Sequence, residues 1–250
     1  MRNLVTSLLL LASLASASAE EPPPSPPSAE TRETLESVLV TGAGTSVVAS
    51  RDVIRNAVAE FERWRARYAP NARFFLRVIE DGGPDPQGRP LIMSIATADS
   101  AAASVLHADA SGRFNAQELA ARMVEEDAQL SVNRGKGKVK LRAQVRTAPE
   151  STTQIRMGDL RLECRVNWQL LKGEAPLAIR LMFSAAGACT TKRISVSAMV
   201  LPAASRARLV EGARSIDMGL SKNGRSIEGF PYYDESWSNE ALVLLEPKTE

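Results

Sequence analysis

From Asp159 to Leu170 apolar and polar residues change places at every step. Leu160, Leu162, Cys164, Val166, Trp168 and Leu170 alternate with Asp159, Arg161, Glu163, Arg165, Asn167 and Gln169. Apolar residues on one parity are the period-two signature of a strand with one buried face. Leu177, Ile179, Leu181 and Phe183 repeat the alternation, as do Ile194, Val196, Ala198 and Val200. The turn formers Lys172-Gly173-Glu174 separate the first two runs, so Asp159–Leu201 reads as an antiparallel meander. A pattern of this kind constrains architecture and carries no chemistry.

The first residues read as an address and not as fold. Arg2 precedes the apolar run Leu4–Leu14, and Ala17-Ser18-Ala19 supplies the small-x-small pattern of a signal cleavage site. The run is shorter than the roughly 20 residues a membrane span needs. Residues 1–19 are therefore expected to be a signal peptide cleaved after Ala19, which places the protein in the periplasm or outside the cell. No transmembrane segment is expected after cleavage. Residues 20–34, with five prolines in Pro22–Ser28, read as a disordered, solvated spacer.

Export changes how the two cysteines are read. In an oxidising compartment Cys164 and Cys189 are expected to form a disulfide, closing a loop of about 25 residues worth roughly 3 kcal/mol. The formal net charge is only +2 and falls by one with Arg2. No global attraction to nucleic acid follows, and none is expected as a partner. At 44% hydrophobic residues the chain can bury a real core.

Between the spacer and the meander the periods change. Ser37–Val40 reads as a short strand. Arg51–Tyr68, behind Ser50 as a cap, reads as an amphipathic helix stopped by Pro70, with Arg63, Arg65 and Arg67 on its wet side. Arg73–Glu80, Leu91–Thr97 and Ala103–Ala108 read as strands, the last closed by the turn Asp109-Ala110-Ser111-Gly112. Asn115 with Glu118 marks a short helix carrying Leu119 and Met123. Ala128–Val132 and Lys138–Arg146 read as a hairpin around Arg134-Gly135-Lys136-Gly137. Thr147–Thr153 is a polar break. Beyond the meander, Ser215–Ser221 and Arg225–Phe230 flank the turn Lys222-Asn223-Gly224, and Ala241–Leu245 is a last strand. The expected fold is mainly β, of α+β type. Two antiparallel sandwich-like halves, 35–150 and 151–250, carry one amphipathic helix near the start of the folded region.

The order Gly88-Arg89-Pro90-Leu91, an alternating strand, Asp109-Ala110-Ser111-Gly112-Arg113-Phe114 and a later strand pair resembles the carboxypeptidase regulatory-like, or prealbumin-like, β-sandwich module. The resemblance covers about residues 72–146. It implies a small accessory domain that stabilises or binds, and it carries no catalytic residue to this chain.

His107 is the only histidine, so Ser-His-Asp, Cys-His and histidine-rich zinc arrangements lack their parts. No cofactor signature is present. Two patterns remain. Arg134, Lys136, Lys138, Lys140, Arg142 and Arg146 share one parity, and along a strand they project to one side about 6.6 Å apart. That is inside the Debye length of about 8 Å, so the array is a candidate anion site or a charged edge that resists aggregation. The second is the loop Tyr232, Tyr233, Asp234, Glu235 and Trp237, between Phe230 and the last strand. Its aromatics and carboxylates suit a sugar, while Phe230 and Trp237 also suit a staple with tyrosine hydroxyls outward. Paired carboxylates such as Asp234 and Glu235 run glycoside hydrolysis only across a cleft, about 5 to 9 Å apart. The reading is a non-catalytic exported accessory or binding protein, with an envelope protein, glycan or anionic lipid head group as partner. The alternative is a carboxylate-dependent hydrolase of envelope glycan or peptide.

Overall fold

The computed structural model describes residues 45–80, 89–97, 104–135, 137, 139–187, 189–200 and 202–248. The signal segment, the proline-rich spacer, Ser37–Val40, Lys136 and Lys138 lie outside them. The elements run β1 (Ser46–Ser50), α1 (Arg51–Tyr68), β2 (Ala72–Glu80), β3 (Met93–Ala96), β4 (Ser104–Leu106), β5 (Arg113–Asn115), α2 (Ala116–Arg122), β6 (Gln129–Val132) and β7 (Val139–Thr147). They continue with β8 (Gln154–Arg156), α3 (Met157–Leu171), α4 (Leu177–Ala186), β9 (Ala198–Met199), β10 (Ala204–Glu211), β11 (Arg214–Met218), β12 (Ser226–Ile227) and β13 (Leu242–Pro247). The fold is mainly β of α+β type. Among the described residues four sheets are ordered β1-β6-β3-β4, β5-β2-β7, β11-β10-β13-β8 and β12-β9. Every pairing between these strands is antiparallel. No helix among the described residues is long and apolar enough to cross a membrane.

The meander is the main correction. Leu160, Leu162 and Val166 wind round α3, and Leu177–Ala186 is the helix α4. Only Ala198–Met199 of the third run is a strand. Two residues turn a helix by about 200°, so strict alternation places apolar side chains on two opposite stripes. Leu162, Val166 and Leu170 pack into a core built from α1, α2 and the sheets of β3 and β2. Leu160 and Cys164 pack into a second core with β10, β13, Phe230 and Trp237. α3 is thus a helix held between two cores, and burial on two sides produces the same alternation as a strand buried on one.

The polar parity of α3 is just as ordered. Asp159, Glu163 and Asn167 recur every fourth residue, about 6 Å along the axis. Alternate residues of a strand recur at nearly the same interval. Asp159 Oδ2 accepts from the Thr147 N–H (2.9 Å), Glu163 Oε2 from Val145 (3.0 Å) and Asn167 Oδ1 from Ala143 (2.8 Å). One edge of β7 pairs with β2, and the other meets these three side chains in place of a further strand. An edge that would otherwise invite another chain is closed by helix side chains. Glu163 also accepts from Arg146 Nη1 at 2.6 Å, and both are buried. At the start of α3, a Cβ on Gly158 would overlap the Tyr68 carbonyl oxygen. Glycine there lets the end of α1 approach the start of α3.

Other expectations divide along the same line between local and long-range. α1 spans Arg51–Tyr68 as read, although Ser50 makes no side-chain cap bond. Asn115 caps α2 by accepting from the Glu118 N–H at 3.0 Å. The Asp109 turn is tied by Asp109 Oδ1 to the amides of Ser111 and Arg113. The hairpin of β6 and β7 is absent, because β6 lies between β1 and β3 while β7 pairs with β2. Its connection passes from one sheet to another. β11 pairs with β10 across Gly212 and Ala213. The Lys222-Asn223-Gly224 turn closes only the bridge Leu220–Ile227.

Cys164 and Cys189 form the expected disulfide, 25 residues apart in sequence. It ties the chain leaving α4 to the middle of α3. Trp168 stacks on Phe183 with ring centroids 4.4 Å apart, but Leu177, Leu181 and Met182 of α4 stay exposed. With so little burial of its own, α4 depends on this cross-link. Replacing both cysteines by alanine is expected to cost roughly 3 kcal/mol of stability. Urea unfolding measures the loss, and hydrogen exchange should show the α4 amides opening before those of α3.

Candidate functional site

The loop Phe230–Asn239 is held against the N-terminal half of α3 because a single buried guanidinium gathers its carbonyls. Arg161 Nε donates to the Tyr232 carbonyl (3.1 Å), Nη1 to Asn239 Oδ1 (2.6 Å), and Nη2 to the carbonyls of Asp234 (2.7 Å) and Trp237 (3.0 Å). Burial lowers the pKa of Arg161, and the nearby Tyr68, Glu235 and Asp234 pull it back. Behind the loop the Trp237 side chain is buried under Arg214, whose guanidinium lies 3.7 Å from the ring centroid.

Around this anchor lies a cleft of about 350 Å³ lined by Arg67, Tyr68, Arg161, Arg165, Tyr233 and Glu235, with the disulfide corner at Cys189–Thr190. Arg165 Nη2 donates to the Tyr68 hydroxyl at 3.1 Å, and its guanidinium stacks 4.1 Å from the Trp64 ring centroid. Arg67 reaches Glu235 at 3.5 Å, both largely exposed. Arg161 and Arg165 are one helical turn apart on the stripe of α3 left over by its two apolar stripes and its acidic ladder. That i, i+4 spacing was visible in the sequence, but it belongs to a helix and the segment reads as a strand.

Of the five loop residues singled out by sequence, Tyr232, Tyr233, Glu235 and Trp237 line this cleft and Asp234 does not. Asp234 turns to Ser236 N–H (3.0 Å) and Arg214 (4.0 Å). The Ser236 bond outweighs partial burial, and with Arg214 it holds the Asp234 carboxyl below its usual range. Asp234 and Glu235 therefore do not converge across the cleft. Tyr232 corrects a second expectation: its side chain is buried instead of outward, and burial pushes its phenol well above the ordinary pKa.

The basic parity of β7 is partly realised. Lys140 is exposed, Arg142 half-buried, and Arg146 buried against Glu163. Arg134 lies outside β7, buried and bonded to Glu80 (3.2 Å) and the Arg89 carbonyl (2.8 Å). It is a structural tie and not a member of the array. What the parity argument missed is on the neighbouring strands. Register places Arg77 opposite Arg142 on one side and Arg113 on the other, and Arg73 opposite Arg146. Arg73 and Arg77 share one parity of β2, which was legible; their alignment with β5 and β7 was not.

Among the described residues no group of three or more His, Cys, Asp or Glu side chains could hold a metal ion. No family model, no curated protein and no solved structure matches this chain.

Proposed function

We propose that this protein is an exported, non-catalytic accessory protein of the periplasm or extracellular space, binding an acidic glycan in the arginine–tyrosine cleft. One observation carries the reading. Two guanidinium groups, Arg67 and Arg165, and the phenols of Tyr68 and Tyr233 surround one opening, while the only adjacent carboxylate pair of the loop points two ways. Guanidinium groups recognise sugar carboxylates in a fork geometry, and tyrosine rings stack on sugar faces while their hydroxyls bond. A hydrolase of this type needs two carboxylates facing each other across the substrate. The signal-like leader and the Cys164–Cys189 disulfide support export. The regulatory-like module read over residues 72–146 agrees with an accessory role.

Calorimetric titration of the protein with oligogalacturonates, against neutral oligosaccharides of equal length, tests the proposal. Binding of the acidic series alone is expected, and Arg165→Gln should weaken it by about tenfold. Absence of binding would refute the glycan assignment. Shortened oligomers in mass spectra of the mixture would refute the non-catalytic one. Sequencing of the exported protein should find Glu20 as its first residue.

A further inference from the structure

The outer face of the β5-β2-β7 sheet has an unusual charge arrangement. Arg77 stands between Arg113 and Arg142 in one row across three strands, and Arg73 opposes Arg146. Directly opposed like charges destabilise a sheet unless something neutralises them. For three of these arginines the structure supplies the neutraliser. Arg113 is bonded to Asp109 and Glu150, Arg73 to Glu150, and Arg146 to Glu163. Arg113 also stacks 4.1 Å from the Phe75 ring centroid.

Arg77 differs. Its guanidinium makes no ion pair among the described residues; it donates to the Ser111 carbonyl, and its Nε is buried without a partner. Burial and the neighbouring Arg113 lower its pKa. In the same place the Gln144 side-chain oxygen is also buried without a partner. The Arg77 and Gln144 side chains line a cavity of about 400 Å³, together with Arg113, Arg146, Glu150 and Thr152. An unmet buried donor and an unmet buried acceptor each cost about 1–3 kcal/mol, and here both belong to side chains that line one cavity.

We propose that this cavity binds a small phosphorylated or sulfated polyol. The oxyanion takes Arg77 Nε–H and Nη–H, the fork a guanidinium offers to tetrahedral oxyanions. A hydroxyl of the polyol donates to Gln144 Oε1. The Ile155 and Pro202 walls of the cavity accept the carbon skeleton, which a bare ion would leave uncovered. Asp109 and Glu150 close the β5 end of the row, which selects a compact ligand over an extended polyanion. This site is separate from the glycan cleft and shares no lining residue with it.

Calorimetric titration of the full chain with glucose-6-phosphate, glucose-6-sulfate, glucose and inorganic phosphate tests the assignment. One or both esters are expected to bind about tenfold or more tightly than glucose or inorganic phosphate. Arg77→Gln should abolish most of that difference, and so should Gln144→Glu, which sets a negative charge against the ligand. Arg165→Gln, in the other cleft, should leave ester binding unchanged. The relative strength of the two esters identifies phosphate or sulfate as the preferred group. Absence of ester binding, or ester binding unaltered in either site variant, overturns the proposal. Inorganic phosphate binding as tightly as the esters overturns the polyol part of it.

Discussion

Replacing Glu163 by alanine is expected to destabilise the protein by about 3–5 kcal/mol, the cost of breaking a buried charge pair from one side. Two groups lose their partner together. Arg146, itself buried, keeps its charge without the carboxylate 2.6 Å away, and the Val145 amide loses its acceptor at 3.0 Å. Burial already pushes the Glu163 carboxyl up, with Arg146 and the Val145 N–H pulling it down. Arg146 and the Val145 amide therefore offset part of what burial costs the carboxylate. Glu163→Gln should cost less, since an amide oxygen still accepts from Val145, although Arg146 remains uncompensated. Urea denaturation gives the difference as a shift in midpoint at unchanged slope. A Glu163→Ala protein within about 1 kcal/mol of the parent would show that the ladder between α3 and β7 contributes little.

The second large effect is expected at Trp237. Its side chain is among the largest fully buried in the protein, packed in the core that holds Leu160, Phe230 and Val243 and covered by Arg214. Removing a buried tryptophan side chain costs about 3–5 kcal/mol. Because the same loop lines the arginine–tyrosine cleft, Trp237→Ala should also weaken glycan binding. Trp237→Phe retains much of the buried ring and should recover most of both. The paired measurements are urea unfolding and the oligogalacturonate titration. Full glycan affinity in a folded Trp237→Ala protein would separate the loop from the binding site.

The contrast between Glu163 and Trp237 shows how much of this protein can be read along the chain. Trp237 was legible, with Phe230, as a staple of its loop, because a large apolar ring beside a strand gains most by burial. Glu163 was legible only as one polar residue in an alternation. Its role depends on Val145 and Arg146, which lie on a strand whose distance and direction no local pattern states. Asp234 and Glu235 are neighbours in sequence, yet one faces Arg214 and the other Arg67. The arginines of the outer sheet face were visible singly, and strand register made them a row.

What the sequence determined by itself is local. It placed α1 between its flanking residues, set the Asp109 turn and the Asn115 cap, paired the only two cysteines and marked the mainly β character of the chain. Apart from the disulfide, which follows from there being only two cysteines to pair, those features depend on backbone preference and on neighbours a few residues away. The tertiary structure alone decided that Asp159–Leu170 is a helix. Alternation records which side chains escape water and is silent on how many surfaces cover them; a ribbon buried on one face and a helix clasped between two cores satisfy it equally.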